Sequence, residues 1–231
     1  QAVTDGILEW NKAFAKVGLL GALVVRQQSD TEFADLDPED VRYNFFRWIV
    51  SERAFAMGPS RVNPRTGQIL DADIIFDESM VRSYLRRYEL KLRKAPRKFF
   101  SPQIQKMLDS DPRRFAFASS AEEPEAFPLL RENRTSCSLG TGVAHQVTLG
   151  LLAARMRGGG DAFPQEVMDQ IVKDVVMHEV GHTLGLRHNF KASTFRSLDE
   201  INSDDRPDDV CGSVMDYNPV NIQFKEGGQQ G

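Results

Sequence analysis

Residues 178–188 read HEVGHTLGLRH and hold three of the four histidines in the chain together with one glutamate. If this stretch is helical, His178 and His182 lie four apart on one face, one turn above the other, and can aim their imidazoles at a single point. Glu179 then lies about one hundred degrees round from His178 and roughly sixty from His182, bordering that point without occupying it. His188 would face away if the helix simply continued. Gly185 removes the difficulty, because glycine accepts the left-handed conformation that ends a helix and turns the chain, so that His188 can return from the loop. Three neutral imidazoles make a zinc site with a position left for water, the catalytic rather than the structural arrangement. Zinc brings the pKa of bound water towards about 7, and Glu179 can take the water proton and later deliver it to a leaving amine. A bare HExxH can arise by chance on a polar helix face. The full HExxHxxGxxH on a helix with apolar neighbours is much harder to reach that way, and buried histidines without a metal are costly to desolvate.

Working outward, PQEVMDQIVKDVVMHEVGHTLG (164–185) carries one stripe of Val167, Ile171 and Val175 and a second of Met168, Val172 and Val176. So wide an apolar arc predicts a helix in the middle of the domain, with Pro164 in its first turn. TDGILEWNKAFAKVG (4–18) places Ile7, Trp10, Phe14 and Val17 at helical spacing, with Thr4 or Asp5 to cap the start and Gly18 to end it. Three runs rich in β-branched and aromatic residues follow, GALVVRQQ (21–28), RYNFFRWIVS (42–51) and ILDADIIFD (69–77), and read as strands between turn-forming segments. A helix, several strands and more helix predict an α/β or α+β fold.

The organisation expected is a single domain over 1–231: helix and sheet in 1–77, a mostly helical insertion in 78–163, the active-site helix and third ligand in 164–188, and a loop and turn in 189–231. Within the insertion, Val81, Tyr84, Leu85, Tyr88 and Leu92 form a helical stripe closed by Pro96. The opposite face carries Arg82, Arg86, Arg93 and Lys94, a solvated face on the plainer reading. Residues 120–128 read as an acidic loop and 144–156 as another helix. His145 stands alone and reads as an ordinary histidine, and the sequon at 133–135 carries little weight if the source is bacterial.

The net charge of -4 gives no sign of nucleic-acid binding. The longest apolar run, residues 17–25, is far short of the roughly 20 residues of a membrane span. Cys137 and Cys211 match no metal spacing and read equally as a disulfide or as two buried thiols. The acidic stretch 197–209 could bind Ca2+ but lacks the ligand order of an EF-hand, which favours a solvated loop. Gln1 at the start and KEGGQQG at the end suggest a piece of a longer protein.

HEVGHTLGLRH followed by SVMDY (213–217) resembles the metzincin clan of zinc endopeptidases, whose signature adds a methionine turn beneath the metal. GILEWNKAFAKVG, DPEDVRYNFFRWI, GPSRVNPRTGQILDADI, LGLRHNFKAS and SVMDYNP further resemble a family of large exported bacterial zinc-dependent metalloproteases. The active-site strip alone is similar to the pappalysins. The resemblance implies a metzincin-like zincin domain, a twisted mixed sheet packed on the active-site helix, with one Zn2+ on His178, His182 and His188. It also implies Met215 as an apolar floor, flanking domains in the parent chain, and a location outside the cytoplasm. In astacin-like and serralysin-like relatives a tyrosine two residues past the turn methionine reaches the metal or the oxyanion. Tyr217 has that spacing, and a packing role is equally open. Residues 69–76 look like the edge strand along which a polypeptide substrate would pair. Two alternatives to endopeptidase activity are a zinc-stabilised binding or scaffold module and an amidohydrolase acting on a non-protein amide.

Overall fold

The computed structural model describes residues 1–51, 55–85, 137, 139, 142–143, 146–147, 149–151, 164–203, 205, 209–218 and 220–221. Helix α1 spans Ala2–Lys16, and its start differs from expectation: Gln1 is the N-cap, with no side-chain cap bond, while Asp5 sits in the first turn and accepts a hydrogen bond from the Gln1 amide. Its end is as the glycine predicts. Gly18, at φ +85°, lets the Gly18 and Leu19 N–H groups donate back to Ala15 and Phe14, which satisfies two of the final carbonyls. Strands β1 (Phe46–Ile49), β2 (Ala56–Met57), β3 (Ser60–Val62), β4 (Ile69–Ala72) and β5 (Ile74–Asp77) come next, then helix α2 (Gln165–Thr183) and a one-turn helix α3 (Leu198–Ile201).

The fold is α+β, with a small mixed sheet in the order β1-β5-β2, parallel between β1 and β5 and antiparallel between β5 and β2. Strands β3 and β4 form a separate antiparallel pair. Three strand expectations need correction. Residues 21–28 join no sheet among the described residues. Leu23 and Val25 turn partly inward while Val24 is exposed, so the alternation is there, but the polar partner of Leu23 is the Asn11 side chain, which bonds both its N–H and its carbonyl. In the run 42–51, only Phe46–Ile49 is strand. The run 69–77 is two strands broken at Asp73, whose carboxylate accepts the Phe45 N–H. That break also undoes the expectation of one edge strand over 69–76. Strand β5 has a partner on each side, whereas β4 pairs only with β3 among the described residues.

Helix α2 is central, as its apolar arc predicts: Met168, Ile171, Val172, Val175, Val176 and Val180 are buried and Val167 is partly so. Pro164 is its N-cap, in extended backbone one residue before the first turn in which it was expected. They share one core with Ala56, Ile74 and Phe76 of the sheet, and with Met80 and Tyr84 of the helical residues 78–85. Fully burying a side chain such as Phe76 contributes about 1.5–3 kcal/mol. Asp77 starts the helical stretch at 78, accepting the Ser79 N–H at 2.7 Å and the Ser51 hydroxyl. Helix α1 lies against α2 through Gly6, where an added Cβ would sit 2.8 Å from the Lys173 carbonyl oxygen and 2.9 Å from Val176 Cβ. The Trp10 indole then donates to the Met177 carbonyl at 2.9 Å, which fixes α1 beside the histidine-bearing turns.

Among the described residues, no helix is long and apolar enough to cross a membrane. Of the 78–163 insertion, the basic positions 86–98, the acidic loop 120–128, the sequon and His145 lie outside the described residues, while 146–147 and 149–151 are helical within the helix expected over 144–156.

Candidate metal centre

The last turns of α2 hold His178, Glu179 and His182, the first two buried because this part of the helix sits between the sheet and the 213–217 turn. Helix α2 then ends as α1 does. Gly185 lies at φ +87°, and the Gly185 and Leu186 N–H groups donate to the His182 and Gly181 carbonyls. The reversal brings His188 back, with its Nε2 3.2 Å from His182 Nε2. His178 and His182 rings lie 4.7 Å apart between centroids, and His178 and His188 rings 5.2 Å apart. The sequence expected these three to meet, and in the structure they do.

Each helical histidine is oriented by a backbone carbonyl. His178 Nδ1 is 2.7 Å from Val214 O, and His182 Nδ1 is 3.0 Å from Leu186 O. A carbonyl can only accept, so Nδ1 carries the proton, and a neutral ring then presents a bare Nε2 lone pair. Burial, aided by the neighbouring histidines and opposed by the Val214 bond, holds the His178 pKa down to about 4. His188 is shifted the same way, by burial and then by His182. His178 is therefore neutral at physiological pH, the form in which imidazole binds a metal.

Cys137 is the residue that sequence reasoning missed. Its Sγ lies 3.3 Å from His178 Nε2 and 3.6 Å from His188 Nε2, and all four potential ligand atoms fall within 4.8 Å of one another. No local spacing could reveal it, because Cys137 is 41 residues before His178. Both cysteines are free thiols, so the disulfide alternative is not what forms. Burial, and then the neighbouring Glu179, push the Cys137 thiol up to about 12 against an opposing hydrogen bond from Tyr217.

Glu179 is buried, and neither carboxylate oxygen makes a full hydrogen bond among the described residues. Burial raises its pKa to about 7, while the nearby Cys137 thiol and Gly58 backbone pull the other way. The chain tolerates this buried, under-satisfied carboxyl beside three imidazoles, a combination that suits a dication at their focus and a proton acceptor next to it. The histidine separation also fits. Tetrahedral zinc at about 2.0–2.1 Å from nitrogen sets ligand atoms roughly 3.3–3.4 Å apart, close to the 3.2 Å between His182 and His188.

Buried Met215 packs against Gly181 of α2. A Cβ on Gly181 would come within 2.3 Å of Met215 Sδ, so glycine at that position is what lets the thioether lie against the helix between the two histidines. The 189–195 loop is tied to the same turn by the Asn189 N–H, which donates to the Met215 carbonyl at 2.9 Å. Buried Asp216, unnoticed in the sequence, accepts the Ser193 N–H at 2.6 Å and the Tyr217 N–H at 2.7 Å. Tyr217 places its hydroxyl 3.0 Å from His188 Nε2 and 3.1 Å from Cys137 Sγ, while Phe190 stacks on the His188 ring. In the acidic stretch 197–209, Glu200 closes a capping box with Ser197 and Asp209 pairs with Arg196.

Residues 160–231 match the model of a family described as Met-zincin. No curated protein and no solved structure matches the chain. The match takes in α2, the loop after it and the turn at Met215, and the metzincin resemblance read from the sequence holds over this stretch. With the clustered imidazoles and thiol it points to a chain of the zinc-metallopeptidase kind.

Proposed function

We propose that this chain is the catalytic part of a zinc-dependent endopeptidase, with His178, His182 and His188 as metal ligands and Glu179 as the proton carrier. The observation that carries the proposal is the convergence of three imidazoles beside a buried carboxyl whose oxygens lack full hydrogen bonds. When bound, zinc supplies the Lewis acidity that polarises a peptide carbonyl and brings water into reach of deprotonation near neutral pH.

The residues of the chain do the rest. The Val214 and Leu186 carbonyls keep the Nε2 lone pairs of His178 and His182 aimed inward. Glu179, its pKa raised by burial to about 7, is balanced between accepting a proton from the attacking water and giving it to the departing amine. Tyr217 borders the same space through its hydroxyl, where it can donate to a developing oxyanion.

The test compares wild type with Glu179→Ala for zinc content by mass spectrometry and for cleavage of an unfolded protein. One zinc per chain in both, with cleavage reduced about 10²–10⁴-fold in the variant, supports the reading. Equal cleavage by both would sink it. A second reading has one observation in its favour: Cys137 completes a four-ligand group, as in closed structural zinc sites. On that reading the chain is a scaffold stabilised by zinc, and neither protein cleaves anything.

A further inference from the structure

The segment that follows His188 is pinned at two points to two consecutive residues of the 213–217 turn. The Asn189 N–H donates to the Met215 carbonyl at 2.9 Å, and the Ser193 N–H donates to Asp216 Oδ2 at 2.6 Å. Between these points the chain enters a single 3-10 turn, Ala192–Thr194, in which Ala192 is buried and its carbonyl accepts the Gly212 N–H at 3.1 Å. The other carboxylate oxygen of Asp216, Oδ1, accepts the Tyr217 N–H at 2.7 Å. Asp216 is only 5% exposed, so bulk water does not compete for these bonds. One carboxylate thus holds, on one oxygen, the segment that carries His188 and, on the other, the tyrosine whose hydroxyl stands 3.0 Å from His188 Nε2.

We propose that Asp216 is a positioning residue of the metal centre, which keeps the third imidazole and the Tyr217 hydroxyl in register with each other. This inference rests on the reading that the three histidines bind zinc. His178 and His182 stand on a helix, and a carbonyl faces the Nδ1 of each. His188 stands on a loop, so its direction depends on what the loop is tied to. A carboxylate suits that task because it accepts two N–H groups at once, and each such bond is stronger than one to a neutral carbonyl. An amide in the same place has a single acceptor oxygen and turns its own NH2 towards the second donor. The Cys211 thiol, with its sulfur 3.7 Å from Oδ2, adds a weak third donor. Asp216 is not among the side chains that could hold the ion, and it acts on them through the backbone N–H groups it accepts.

The experiment takes the full chain as wild type, Asp216→Asn, Asp216→Ala, Tyr217→Phe and the Asp216→Asn/Tyr217→Phe pair. Each is loaded with one equivalent of Co2+, whose visible absorption follows the geometry of its ligands, and each is titrated with zinc against a chelator. Asp216→Asn should still bind one cobalt, with an altered visible spectrum, and should hold zinc about 10–100-fold more weakly, the usual effect of losing a group behind a ligand. Asp216→Ala should lie further in the same direction, since the asparagine oxygen restores one of the two bonds. With zinc saturating, Asp216→Asn should cleave an unfolded protein with a lower kcat at unchanged KM. Adding Tyr217→Phe should then cost less than it does in wild type, because the hydroxyl has already lost its register. An Asp216 that only stabilises the fold would lower Tm yet leave the cobalt spectrum, zinc affinity and kcat of the loaded protein as in wild type, which overturns the proposal. An Asp216→Asn apoprotein that fails to fold overturns it as well, and fully additive substitutions overturn the shared register. In a protein that binds cobalt but cuts nothing, the endopeptidase reading fails, and the spectrum and zinc affinity still decide for or against Asp216. A wild type that takes up no cobalt overturns the histidine reading, and the role of Asp216 falls with it.

Discussion

At the scale of single residues, the centre depends on glycines as much as on ligands. Gly185 sits at φ +87°, and the turn it permits is what returns His188 to the other two imidazoles. A side chain at that φ costs about 1–2 kcal/mol, less for asparagine, which visits the left-handed region more readily. Gly185→Ala should therefore weaken zinc binding measurably in competition with a chromogenic chelator, with Gly185→Asn intermediate. Identical affinity in all three proteins would show that the turn does not set the third ligand. Much of this was legible beforehand, because spacings of three, four and six residues translate directly into directions around a helix and beyond its end. Cys137 and Asp216 were not legible. The first reaches the cluster from 41 residues away, and the second acts through backbone N–H groups of a loop. Neither contact leaves a periodic trace in the chain.

At the scale of elements, the two long helices were readable because burial repeats every third or fourth residue, whereas the strands were readable only as composition. Residues 69–77 have the β-branched content of one strand, yet the Asp73 carboxylate bonds to Phe45 where the chain passes from one sheet to the other. The helix pair depends on Gly6. Placing a methyl 2.8–2.9 Å from the Lys173 carbonyl and the Val176 side chain must push α1 away from α2. Gly6→Ala should cost about 1–3 kcal/mol and lower Tm by several degrees, an outcome that an unchanged melting curve would exclude. The junction of sheet and helix at Asp77 gives a pH signature. Burial alone would raise its pKa, but the hydrogen bonds from Ser51 and Ser79 outweigh burial and hold it below the usual carboxylate value. A depressed native pKa adds stability that is complete above the unfolded pKa of about 3.9 and is lost as pH falls through the native value. Urea midpoints of wild type should thus fall below about pH 4. Asp77→Asn should be less stable near neutrality and lack that part of the acid dependence, and parallel pH curves for the two would contradict the assignment.

At the scale of the whole molecule, the centre is the place where distant parts of the chain meet. Helix α2 brings two imidazoles, the loop after Gly185 a third, the 213–217 turn a buried methionine against Gly181, and Cys137 a thiol beside strand β2. A metal bound there ties these parts together in the native state, whereas an unfolded chain offers no comparable site. Binding free energy should therefore appear as folding stability, by about 4.1 kcal/mol when free zinc is a thousandfold above its dissociation constant. At roughly 2–4 °C per kcal/mol for a chain of this size, removing zinc with a chelator should lower Tm by about 8–16 °C, and restoring zinc should recover it. Magnesium should not substitute, because nitrogen and sulfur donors suit it poorly. His182→Ala should melt at the same temperature with and without zinc, since it removes one of the three imidazoles. A shift that persists in His182→Ala would place the stabilising metal elsewhere. A wild type indifferent to zinc would mean that the four side chains come together for packing alone, leaving Glu179 as a buried carboxyl with no charge to serve.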